Sequence, residues 1–318
     1  MVLRACCLLP LLVIAACSAH SVPTAALAVC RGATVAPSAL RENVNTLTTR
    51  FEPRDFDHPE NLERAAAFLA EALRARGASV SEQTYRVEGR TYRNVLAQFG
   101  PETPERIVIG AHYDTAGEQP GADDNASGVA ALLEIARLLA ASPPPLHVEL
   151  AAYTLEEPPN FGTERMGSAA HARALADRGA KVRLMISVEM IGAFSDEKGS
   201  QDYPPTIGWF HPSQGNFIAV VSKWGEGDAV REVEAGLRTG GFVPVETLTA
   251  PSFVTGVDFS DHRNFWEHGY PAVMVTDTSF YRNARYHTPE DRADTLDYVR
   301  MAEVVKGIHC AVQAAARR

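Results

Sequence analysis

The chain has no apolar run long enough to cross a bilayer as a helix once an N-terminal leader is set aside, and no internal repeat. A helical membrane domain and a solenoid are thereby excluded. Basic residues form no cluster: 30 Lys and Arg are scattered among 39 Asp and Glu, for a formal charge of -9. Nucleic acid is therefore not an expected partner. Cysteine is scarce, five residues in 318, without the paired spacing of a structural zinc site. There is no His-Glu-x-x-His helix and no Gly-x-Ser-x-Gly elbow, which speaks against two common hydrolase designs. What remains is an ordinary globular composition, 46% hydrophobic and 22% charged, on a chain able to bury a large core.

The first residues stand apart. A singly positive start at Arg4 precedes the apolar stretch Cys6 to Ala16, and Ile14-Ala15-Ala16-Cys17 resembles a bacterial lipobox. Residues 1–16 are accordingly expected to be a signal peptide, with Cys17 lipid-modified. Ser18 then suggests an outer-membrane lipoprotein facing the periplasm, touching membrane only through that anchor. The alternative is an ordinary secretory signal cleaved near Ala26-Leu27-Ala28. Residues 17–37 read as a tether and 38–318 as the folded domain. In an oxidising compartment Cys30 and Cys310 are expected to pair, unless they are two unrelated thiols.

Helical spacing covers Ala39 to Leu47 and Pro59 to Arg76, the latter stopped by Gly77. Alternation over Val80–Val87 and Tyr92–Phe99, around Glu88-Gly89-Arg90, reads as a hairpin. From Ile107 onward strands and helices alternate, ending in a helix over Thr295–Ala315. This order predicts one α/β domain with a mostly parallel, mixed central sheet and helices on both faces. In such sheets functional residues gather beyond the carboxyl ends of strands.

Five acidic or imidazole motifs fall at such positions. His112 and Asp114 leave a strand on one face, an imidazole with a carboxylate able to orient it. Asp123-Asp124 open a helix within a Gly-rich segment, where paired acids are otherwise caps. Glu156-Glu157 follow a strand ending near Tyr153, so one can bind metal while its neighbour moves protons. Glu189 sits in an apolar strand, where a charge is costly unless paired or metal-bound. His287 lies in Tyr286-His287-Thr288-Pro289, after the last strand. Together they make the oxygen and nitrogen donor mix of a zinc hydrolase.

At this point the chain resembles the co-catalytic zinc aminopeptidases, a group that includes glutamate carboxypeptidase II and, more distantly, glutaminyl cyclases. The likeness rests on Gly110 to Asp114, Gly121 to Gly128, Glu156-Glu157 and Tyr286 to Pro289, and spans roughly residues 90 to 300. It implies two zinc ions bridged by Asp124, one completed by Glu157 and His287, the other by His112 and Glu189. It further implies Glu156 as the general base for a metal-bound hydroxide, Asp114 as the partner orienting His112, and Tyr286 as hydrogen-bond donor to the oxyanion. The expected reaction is release of N-terminal residues from peptides. The group also places a cis peptide after the bridging aspartate. Glu189 departs from the group's usual Asp, which bears on the second metal.

Phe259-Ser260-Asp261-His262 reads as a helix cap with a structural histidine, and Asp294-Thr295 as the start of the last helix. The residue preference is expected to be set by the loop from Ser195 to Gly215 and by Pro251 to Val257. Two other readings stand beside the main one: a single-zinc glutaminyl cyclase, and a zinc-binding lipoprotein without activity. A carboxypeptidase would want a basic pocket, for which Arg282 and Arg285 are the nearest residues in sequence.

Overall fold

Continuous apolar strands explain the centre of the molecule. In a computed structural model that describes residues 21–205 and 207–318, every residue of β4 (His147–Tyr153) is buried. So are most residues of β3 (Glu105–His112), β5 (Lys181–Glu189) and β8 (Ala272–Thr276). Strands covered on both faces carry this pattern. The signal-peptide and Cys17 expectations lie outside the described residues.

These four join β1 (Ser79–Val87), β2 (Arg90–Phe99), β6 (Ile218–Lys223) and β7 (Val245–Ala250) in one mixed sheet, ordered β1-β2-β4-β3-β5-β8-β6-β7. The β4-β3-β5-β8 centre is parallel, and β6 pairs antiparallel with β8. The hairpin expected before residue 100 is present, with Val87 paired to Arg90. Glu88 and Gly89 both have left-handed φ, 51° and 82°, as a two-residue primed turn requires.

One sheet face is covered by α2 (Pro37–Arg50), α3 (Pro59–Ala75), α4 (Gly128–Ala141), α6 (Gly227–Gly240) and α8 (Tyr298–Ala315). Among the described residues, the other face carries the α-helices α5 (Gly167–Asp177) and the short α7 (His262–Trp266). A loop over residues 195–216 stands where β8, β6 and β7 would otherwise be bare, and a cavity lies there. Gly110 shows how tightly the centre is packed. A Cβ there would fall 2.3 Å from Cε2 of Tyr153, so only glycine lets that ring cross β3 two residues before His112.

Three expectations are corrected. The tether contains a helix, α1 (Thr24–Gly32), because Ala26 and Cys30 lie one turn apart and bury together against Cys310 and Ala314 of α8. Cys30 and Cys310 are disulfide-bonded, the pairing expected of an exported chain. The last helix begins at Tyr298, where Asp297 accepts the Val299 and Arg300 amides; Asp294 sits in a separate short turn. The segment at Ser260 starts only the five-residue α7, and no side chain caps it. His262 is structural there, buried with Nε2 2.9 Å from the Val257 carbonyl.

Candidate metal centre

The carboxyl ends of the parallel strands meet at one rim. His112 ends β3, Glu156 and Glu157 follow β4, Glu189 ends β5, and His287 follows β8 after a short loop. Left-handed backbone turns the chain sharply at Leu155 (φ 59°) and Met190 (φ 50°), beside the acids that must face inward. Asp124 reaches the rim from the turn Ala122–Ser127 that enters α4, and its peptide bond to Asn125 is cis.

Sequence separates these side chains by up to 175 positions, yet their polar atoms converge. His112 Nε2 is 3.3 Å from Asp124 Oδ1 and 3.3 Å from Glu189 Oε2. His287 Nε2 is 3.1 Å from Asp124 Oδ2 and 3.3 Å from Glu157 Oε2. Asp124 thus turns one oxygen to each imidazole. Two donor triads share that carboxylate, His112–Asp124–Glu189 and Asp124–Glu157–His287, and His112, Glu156 and Glu157 form a third group of neighbouring donors without it.

The triads fit zinc on geometric and chemical grounds. Donors bound at about 2.0–2.2 Å to a tetrahedral ion stand roughly 3.3–3.6 Å apart, close to the spacings here. His287 Nε2 and Glu157 Oε1 are buried without a hydrogen-bond partner, the state of atoms aimed at an ion. Electrostatics agree. Burial pushes the Glu157 carboxyl up to about 8, with the Asp124 charge adding to it. Burial likewise raises Glu156 well above the usual range and raises Glu189. Burial opposes a charge on His287, but Asp124 and Glu157 overcome it and lift the imidazole to about 10. Crowded acids that draw protons onto their imidazoles form a site that attracts cations.

Other expected residues surround the triads. Glu156 is buried with Oε2 3.9 Å from His112 Nε2, adjacent to both triads but part of neither. Asp114 lies behind His112: its carbonyl is 3.2 Å and its Oδ1 3.6 Å from Nδ1, and its Oδ2 accepts the Glu157 amide at 3.1 Å. One aspartate therefore orients a ligand of each triad. Tyr286 lines the cavity and stacks on His287, ring centroids 3.7 Å apart. Asp123 turns away from the rim, accepting from Gly192 N and Asn283 Nδ2.

Four supporting residues were given no role at the site by the sequence. Asp291 accepts the backbone amides of Asp123 and Asp124 at 2.9–3.1 Å, holding the turn that presents Asp124. Ser260 donates to Glu189 Oε2 at 2.7 Å. Asn125 ties that turn to Val188 and Met190 of the β5 segment. Arg54, fully buried, donates to the carbonyls of Leu47, Tyr113 and Gly121. Asn125 lies within the Gly121–Gly128 motif, Asp291 stands four residues after His287, and Ser260 belongs to the segment read as a helix cap; Arg54 is far from all of them.

The cavity beside the rim measures ≈ 270 Å³. Its walls include Glu156, Glu157, Glu189, Asp202 and Glu246, and no lysine or arginine among the described residues. Arg282 points away, into the carbonyls of Ala193 and Phe217 and the Gln201 side chain. Arg285 is exposed and outside the cavity.

Comparison with known proteins agrees with this architecture. The uncharacterized protein YfbL of Escherichia coli K12 is 46% identical over 281 residues, 86% of each chain. Two solved structures share the fold: the LapA aminopeptidase of Legionella pneumophila (TM-score 0.70, 19% identity, covering 93% of this chain and 76% of that one) and a glutaminyl cyclase of Bacteroides thetaiotaomicron (TM-score 0.67, 22%, 88% and 98%). These two do different chemistry on one fold, so fold alone does not choose between them. The model of Peptidase family M28 matches residues 94–312, and this chain belongs to that family.

Proposed function

We propose that the chain is a two-zinc aminopeptidase, and the observation that carries this reading is Asp124, which offers one oxygen to each of two imidazole-containing triads. His112, Asp124 and Glu189 would hold one ion, and Asp124, Glu157 and His287 the other. Zinc bound there would polarise the scissile carbonyl and lower the pKa of a nearby water.

The chain's own residues do the rest. Glu156 takes a proton from the attacking water and hands it to the leaving amine, a role suited to a buried carboxyl whose proton affinity is raised. Tyr286 donates its hydroxyl proton as a hydrogen bond to the oxygen that gains charge on the substrate. Asp114 keeps His112 and the Glu157 backbone in register. A cavity with several acids and, among the described residues, no lysine or arginine in its walls suits a substrate's free ammonium and offers no basic partner for a terminal carboxylate, which favours an aminopeptidase over a carboxypeptidase. The complete second triad speaks against a single-zinc glutaminyl cyclase.

The test is a panel of aminoacyl-p-nitroanilides and N-terminal Gln peptides, with and without chelator, alongside metal analysis. We expect about two zinc ions per chain and chelator-sensitive release of N-terminal residues. One zinc per chain with cyclisation of the Gln peptides would overturn the reading.

We also propose that the protein is exported and anchored through Cys17. The Cys30–Cys310 bond supports an oxidising compartment. Mass spectrometry of membrane-extracted protein should find an N-terminal peptide that begins at Cys17 and carries diacylglycerol. A peptide that retains Met1 would sink the proposal.

A further inference from the structure

The cavity is longer than contact with the metal rim requires. It runs from Glu189 on β5 across Met274 of β8 and Ala219 of β6 to Glu246 on β7, the edge strand. Neighbouring strands lie about 4.8 Å apart, so the three steps make a trench roughly 14 Å long. Its floor is mostly apolar, and its roof is formed by residues 201–204, Ile207 and His211.

That roof is pinned differently at its two ends. At the rim end several bonds fix it: Gln201 Nε2 donates to Thr278 Oγ1 at 2.8 Å, Asp202 N to the Tyr281 carbonyl at 2.7 Å, and Arg282 Nε to Gln201 Oε1 at 2.8 Å. At the far end, among the described residues, one side-chain pair joins loop to sheet, His211 Nδ1 to Glu246 Oε2 at 3.0 Å. The His211 ring stacks on Tyr203, centroids 5.6 Å apart and 26° from parallel, and Tyr203 in turn donates to the Pro212 carbonyl. All three side chains line the trench.

We propose that the His211–Glu246 pair is the end wall of the trench and sets the length of the side chain admitted from the substrate's N-terminal residue. This rests on the aminopeptidase reading, because the residue whose carbonyl meets the rim must send its side chain into the adjoining space. With the wall closed, the trench takes a mid-sized apolar side chain. With it open, the trench extends toward solvent past the edge strand and takes a larger one. One added or missing methylene in such a pocket changes selectivity about 10-fold or more.

The test compares the full chain with His211→Ala, Glu246→Ala and the double variant on Ala-, Leu-, Phe- and Trp-p-nitroanilide. Each single change should raise the Trp-to-Ala ratio of kcat/KM by about tenfold, and the double should add little, since either change alone opens the wall. Leu248→Trp, which fills the trench from its floor, should move the ratio the other way. Calorimetric affinities for free L-alanine and L-tryptophan should follow the same order without any turnover. Ratios unchanged within twofold in both single variants would overturn the end wall. Affinities that shift as stated in a protein without hydrolysis would uphold the wall and overturn the peptidase reading instead.

Discussion

Glu156→Gln should lower kcat by about two to four decades while zinc content and thermal stability hold. The substitution keeps the shape of a side chain that is 5% exposed and removes only its capacity to carry a proton. Glu156 stands 3.9 Å from His112 Nε2 and belongs to neither triad that shares Asp124, so those two sets keep all their donors. Burial already favours the uncharged form of Glu156, so the neutral amide suits its surroundings. Steady-state rates on a good aminoacyl-p-nitroanilide, with metal content measured on the same sample, provide the check. A variant within tenfold of the parent would remove Glu156 from the proton path.

Asp124→Ala should empty both positions rather than one. Each oxygen of Asp124 faces a different imidazole, so its removal takes one of three protein donors from each triad. Zinc retained after dialysis against a weak chelator should fall from about two per chain toward zero, and activity by about three decades or more. The apoprotein should stay folded. The turn around residue 124 is held by Asp291 through backbone amides and by Asn125 through Val188 and Met190, none of which uses the Asp124 carboxylate. Glu189→Gln provides the contrast, since it touches one triad only and should release a single ion. If Asp124→Ala retained one tightly held zinc, the shared-carboxylate arrangement would be wrong.

Much of this centre was legible before any coordinates. His112, Asp124, Glu157, Glu189 and His287 each sit in a local context that marks them: the end of an apolar strand, a Gly-rich helix entry, an acid inside a buried run. Local context also revealed the hairpin and the parallel centre. It failed at the chain's ends, where the apolar side of α1 is too short to stand out and takes its meaning from α8 across a disulfide. It also failed at Ser260, which resembles any helix-opening serine until folding sets it 2.7 Å from Glu189.

The sequence alone thus picked out the side chains that converge at the rim, because residue type and strand periodicity are written within a few neighbouring positions. Tertiary structure decided how they are held and what they face. Asp291 finds the Asp123 and Asp124 amides across more than 160 positions, and the trench draws its walls from β5, β8, β6 and β7 and from loop residues far from them in sequence. Contacts between distant segments depend on the packed sheet as a whole, and no stretch of sequence records them by itself.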